Sequence, residues 1–122
     1  MIYNYAAELS SLLEQTDEYK LYEEAKKQLL QDNQAFALFS RFRHDQFQLR
    51  AALFAGEDVE PELDSMNEYF SCICMEKSID RFVSAETAFM SLLSGVQAIF
   101  HEKLDLWPGL EFSWSQENNL LN

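Results

Sequence analysis

From Ile79 to Leu104 apolar side chains recur at steps of three and four: Ile79, Phe82, Val83, Phe89, Met90, Leu93, Val96 and Phe100. That spacing predicts one face of a single helix. A helix of about 26 residues is roughly 39 Å long at 1.5 Å per residue. A second long pattern runs from Gln34 to Ala55, with Ala35, Leu38, Phe39, Phe42, Leu49, Ala52 and Leu53 as its stripe. At about 22 residues it is roughly 33 Å long. A compact domain of this size has a radius of gyration of roughly 14 Å. Two rods of that length cross the whole globule or project from it, and a projecting apolar stripe needs cover. The reading is an all-α fold of about five helices, a bundle completed by homodimerisation.

The shorter elements fit this scheme. Ile2, Ala6, Leu9 and Leu13 share one face of a first helix from Ile2 to Gln15, with Tyr5 and Leu12 beside them. Thr16 and Asp17 can cap a second, which runs to Gln31 with Tyr19, Tyr22, Leu29 and Leu30 as apolar positions. Asp32 or Asn33 can cap the third. Gly56 suits its C-terminal end. Pro61 fits the first turn of a fourth helix with Leu63, Met66, Phe70 and Ile73 as core face. This helix should fade near Lys77, with Ser78 capping the fifth. Trp107-Pro108-Gly109 then breaks the chain. The expected organisation is a helical domain over residues 1–106 and an extended tail over 107–122. In the tail Leu110, Phe112 and Trp114 alternate with polar residues at a period of two. They read as lying in a groove of the dimer, as a short peptide offered to another protein, or as a disordered end.

Composition narrows the function classes. Three Gly and two Pro in 122 residues are few for an all-β protein. The net charge is -12. Residues 1–54 hold six basic and eight acidic side chains, residues 55–122 three and thirteen. Such a surface repels phosphate backbones and anionic membranes, so neither direct nucleic-acid binding nor membrane insertion is expected. Charges recur often enough that no segment reads as a bilayer span. No secretory pattern opens the sequence, and a cytoplasmic location is expected. Glu57, Asp58 and Glu60 begin the densest acidic cluster. It reads as a solvating surface, or as a docking surface for a basic partner.

Candidate chemistry is sparse. Cys72 and Cys74, two apart, point roughly 200° apart on a helix and cannot chelate one ion together. A structural zinc or an iron–sulfur cluster needs four ligands, and His44 and His101 are distant in sequence. No metal or cofactor is expected. No G-x-S-x-G or phosphate-cradling glycine loop occurs. The expectation is therefore a protein that is not an enzyme. Glu86 is the exception to the apolar pattern, for it interrupts the last stripe. Gln46 interrupts that of the third helix. A carboxylate there is costly unless it is paired. Gln46, Arg43 and Arg81 are its candidate partners, and a polar contact at facing helix positions can set register. The alternative is a carboxylate at the stripe's edge that reaches water.

The third helix reads Phe42-Arg43-His44-Asp45-Gln46-Phe47-Gln48-Leu49-Arg50, followed by Ala55-Gly56-Glu57-Asp58-Val59. The fifth carries Phe82-Val83-Ser84-Ala85-Glu86. This aromatic-Arg-x-x-Gln stretch, acidic loop after Gly, and Ala-Glu pair resemble the YlbF/YmcA/YheA family of small helical regulatory proteins in Firmicutes, over roughly residues 3–104. The length and the Gly56-Glu57-Asp58 loop bring the YheA-like branch closest. The resemblance implies an all-helical, dimer-forming fold and a non-catalytic adaptor role in developmental regulation or in transcript processing by a ribonuclease. Some members are linked to iron–sulfur clusters held partly by a cysteine-rich tail. Residues 105–122 contain no Cys, so that property does not carry over. The competing class is a helical protein that binds a small ligand or a metal.

Overall fold

The structure is a computed structural model, and it describes residues 1–105. These form five helices: α1 (Ile2–Glu14), α2 (Asp17–Gln31), α3 (Asn33–Phe54), α4 (Glu60–Ile73) and α5 (Lys77–Lys103). Local chemistry sets most of their ends. The Thr16 hydroxyl accepts from the Tyr19 amide at 3.2 Å and caps α2. Asp32, rather than Asn33, caps α3, where its Oδ1 accepts from the Ala35 amide at 3.1 Å. Gly56 ends α3 at φ +85°. There the Glu57 amide reaches the Ala52 carbonyl and the Gly56 amide reaches that of Leu53, both at 3.1 Å. This bond pair is a Schellman motif, and its left-handed position favours glycine. Pro61 occupies the first turn of α4. Val59 is buried in the loop before it.

The α4–α5 junction differs from expectation. α4 stops at Ile73, and a turn over Cys74–Glu76 leads directly into α5 at Lys77. Ser78 therefore sits inside the first turn of α5 and caps nothing. Its hydroxyl donates instead to Asp32 Oδ2 at 3.3 Å. One carboxylate thus caps α3 with one oxygen and holds the start of α5 with the other.

The core lies where α2, α3, α4 and α5 meet. Phe42 and Ile79 are its most enclosed side chains, with Leu29, Phe39, Ile73 and Phe82 around them. Rings link the elements. Tyr19 meets Phe89 at 5.3 Å, and Tyr22 meets Phe89 at 5.6 Å and Phe82 at 5.5 Å. Phe39 sits edge-on to Phe82 at 5.4 Å, and Phe42 stacks on Phe70 at 5.1 Å. Numbers rise along α2 as they fall along α5, so these two helices pack antiparallel. Centroid separations of this size are those of attractive ring pairs.

Cover is uneven along α5. Its first half is core, with Ile79, Phe82 and Phe89 buried. Beyond Phe89 only Gln97 is buried, and Ile99, Phe100 and Leu104 are largely exposed. The cause is length: α2 has 15 residues against 27 in α5, roughly 22 Å against 40 Å. α1 has no buried residue. Its predicted face is only half covered at Leu9 and Leu13, and Ile2 and Ala6 are exposed.

The charge spacing led us to expect no segment able to span a bilayer. α5 overturns this on length and composition, because an 18-residue stretch has a mean hydropathy of 1.3. Between Glu86 and Glu102 no Asp, Glu, Lys or Arg interrupts it. The first half of the helix packs against α2 and carries the ion pair at Glu86, as a bundle helix does, whereas the apolar stretch beyond it is mostly uncovered.

Candidate functional site

The polar residues singled out on α3 and α5 come together in part. Arg43 Nη2 donates to Glu86 Oε1 and closes an ion pair between the two helices. The Glu86 side chain is 19% exposed and that of Arg43 is 43% exposed. The guanidinium carbon also lies 4.7 Å from the centroid of the Phe39 ring. The ring face adds a cation–π attraction and fixes the plane of the donor. The carboxylate in the α5 stripe is thus compensated by a cation laid along an aromatic wall of the core.

Gln46 stands one turn beyond Arg43 and is half-buried. Among the described residues no hydrogen bond joins it to Glu86. Arg81 lies elsewhere, on the wall of an open groove of about 440 Å³ between α2 and α5. Leu21, Glu24, Gln28, Ser84 and Ala88 also line that groove.

Cys72 is exposed, and Cys74 is half-buried at the end of α4. Burial, then the nearby Asp80 carboxylate, pushes the Cys74 thiol above its ordinary range. Desolvation, then the nearby Glu23 carboxylate, raises the Tyr19 phenol likewise. Among the described residues no group of three or more His, Cys, Asp or Glu is placed to hold a metal ion. Glu57 and Asp58 are exposed on the α3–α4 loop and Glu60 is exposed at the start of α4, where its amide donates to Asp58 Oδ1 at 3.3 Å. Leu110, Phe112 and Trp114 lie outside the described residues.

Two polar positions escaped the sequence reading. Gln97 is buried on α5. It follows Val96 in the stripe, and the same test that exposed Glu86 would have found it. Asp32 ties α3 to α5 as well as capping, and no local pattern announces the second role.

The architecture is that of a small all-helical bundle protein whose inter-helix polar contacts include an ion pair at the edge of an aromatic core. The chain belongs to a family described as "Control of competence regulator ComK, YlbF/YmcA", whose profile matches residues 2–105. That description gives the family a regulatory role. Among curated relatives, a UPF0342 protein of Caldicellulosiruptor bescii is 24% identical over 105 residues, covering 85% of this chain and 88% of the relative. UPF0342 proteins of Staphylococcus epidermidis and Staphylococcus aureus are each 26% identical over 105 residues, covering 85% of this chain and 92% of theirs. No solved structure matches. The match is to the family as a whole and does not single out the YheA-like branch, which rests on the length and the Gly56-Glu57-Asp58 loop.

Proposed function

We propose that this chain is a non-catalytic regulatory adaptor of the cytoplasm, working as a homodimer through protein–protein contacts. The observation that carries this reading is the apolar surface left open by a single chain. The far half of α5 extends past α2 with Ile99, Phe100 and Leu104 largely exposed, and all of α1 lacks buried residues. Contiguous apolar surface of this kind marks an interaction site. Packing the far half of α5 against a second copy covers it. The acidic loop at Glu57, Asp58 and Glu60 stays free for a basic partner protein.

A non-catalytic role is supported by where the charges are spent. Glu86 is committed to Arg43, and Asp32 to a cap and to Ser78. A general acid or base needs a free titratable group with a partner of defined role in a cleft; these two carboxylates are not free, and the groove that Glu24 and Asp80 line is open. By family likeness the adaptor serves developmental regulation, or transcript processing through a ribonuclease partner rather than by touching RNA itself. The test has two arms. Light scattering on the full chain gives a mass near twice 14.3 kDa. Affinity capture from the native cell, followed by mass spectrometry, then recovers a discrete partner. A particle at the single-chain mass at micromolar concentration sinks the homodimer.

A further inference from the structure

The groove between α2 and α5 takes no part in the Arg43–Glu86 contact. Its volume is about 440 Å³, and Leu21, 60% exposed, stands on its α2 wall across from Ser84, Ala85 and Ala88. Arg81 lies toward the end nearest the start of α5. Among the described residues Arg81 has no ion-pair partner. Glu24 and Asp80 line the same groove, so an acidic side chain is accepted there only where it reaches the guanidinium.

The same face of α5 continues past the groove. Gly95, Ile99 and Glu102 fall within about 60° of Arg81, Ser84 and Ala88 around the helix axis, away from buried Ile79, Phe82 and Phe89. All six are exposed, Ile99 by 51%. A methyl added at Gly95 meets nothing within 4 Å. Glu102, like Arg81, has no ion-pair partner among the described residues. One half of this face is therefore a groove with an unpaired cation, and the other half a ridge with an apolar side chain and an unpaired anion.

We infer that two copies of the chain pair antiparallel along this face, so that Ile99 of each enters the α2–α5 groove of the other and Glu102 of each meets Arg81 of the other. The inference rests on the homodimer reading and names the contact that reading leaves open. Positions 81 and 102, 84 and 99, and 88 and 95 are symmetric about one point on α5. A two-fold axis through that point sets Arg81 against Glu102, Ser84 against Ile99 and Ala88 against Gly95, each pair twice. Large side chains meet small ones, and opposite charges meet. Exposed Lys103 lies five turns from Ala85 and so on the α2 side, where it answers Glu24 of the second copy. A parallel pairing sets Arg81 on Arg81 and Glu102 on Glu102, which repel. The face from 81 to 102 is roughly 32 Å long. With α2 of each copy beside it, a strip of that length reaches the order of the roughly 800 Å² per partner of a stable interface.

The test uses the full chain and sedimentation velocity over a dilution series, with helicity checked by circular dichroism. Arg81→Glu and Glu102→Arg, each alone, set like charges together twice per dimer. Each should raise the dimer dissociation constant about tenfold, more so at low salt. Both changes in one chain restore opposite charges and should return association to within a few-fold of wild type. Ile99→Asp puts a carboxylate into the groove and should raise the dissociation constant at least about tenfold. If it disturbs helicity, Ile99→Ser replaces it. A monomeric wild type overturns the α5 pairing together with the homodimer. A dimeric wild type whose single variants associate unchanged, or whose combined variant stays as weak as either single one, overturns the α5 pairing alone and leaves the homodimer standing.

Discussion

A single carboxylate shows how far residue identity reaches in this molecule. Glu86 is anomalous in its stripe, and that much is legible from the sequence. Its partner is not, because Arg43, Gln46 and Arg81 are equally plausible as residue types. Helix geometry decides. Arg81 precedes Glu86 by five residues on the same helix, about 140° around the axis, and faces the α2 groove. Arg43 projects from α3 where Phe39 meets α5, which places it against Glu86. The pair is partly solvated, so its worth lies nearer that of a surface ion pair than a buried one. Glu86→Ala should cost about 1 kcal/mol, and the double-mutant cycle with Arg43→Ala should give a coupling of about 0.5–1 kcal/mol. Chemical denaturation of the four proteins checks both values. The two cysteines should also separate. The raised Cys74 thiol holds less thiolate at a given pH, so mass spectrometry at pH 8 should find exposed Cys72 alkylated first, and raising the pH should narrow the gap.

At the scale of elements, boundaries were legible where a residue has a backbone reason to stop or start a helix. Thr16, Asp32, Gly56 and Pro61 all mark ends within a residue or two. The α4–α5 turn was misplaced because Cys74, Met75 and Glu76 include no breaker, and Ser78 imitates a cap. The turn forms because Ile73 and Ile79 are both buried, and only a tight connection brings the ends of both helices into one core. Two substitutions test this scale. Gly56→Ala should lower stability by about 1 kcal/mol, since no atom lies within 4 Å of the added methyl and only the left-handed backbone is penalised. Asp32→Ala should cost more than Thr16→Ala, which loses an N-cap worth about 1 kcal/mol. Asp32 also releases Ser78. Thermal melts of both variants order them.

For the whole molecule, the length of the two rods makes cover necessary without fixing which surfaces lie bare. The all-α fold and its long helices are as the periodicity predicts. Which stretches remain bare depends on relative lengths and offsets, above all on α2 beginning opposite Phe89, and no single-residue pattern encodes that. The ring ladder has a practical corollary for anyone following this protein in solution. Among the described residues it is built of tyrosine and phenylalanine, and both tryptophans, Trp107 and Trp114, follow α5 in the sequence. Near-ultraviolet tyrosine dichroism therefore watches the interior, while indole emission watches the C-terminal segment. One cuvette can report the melting of the bundle and the engagement of its tail as two separate signals.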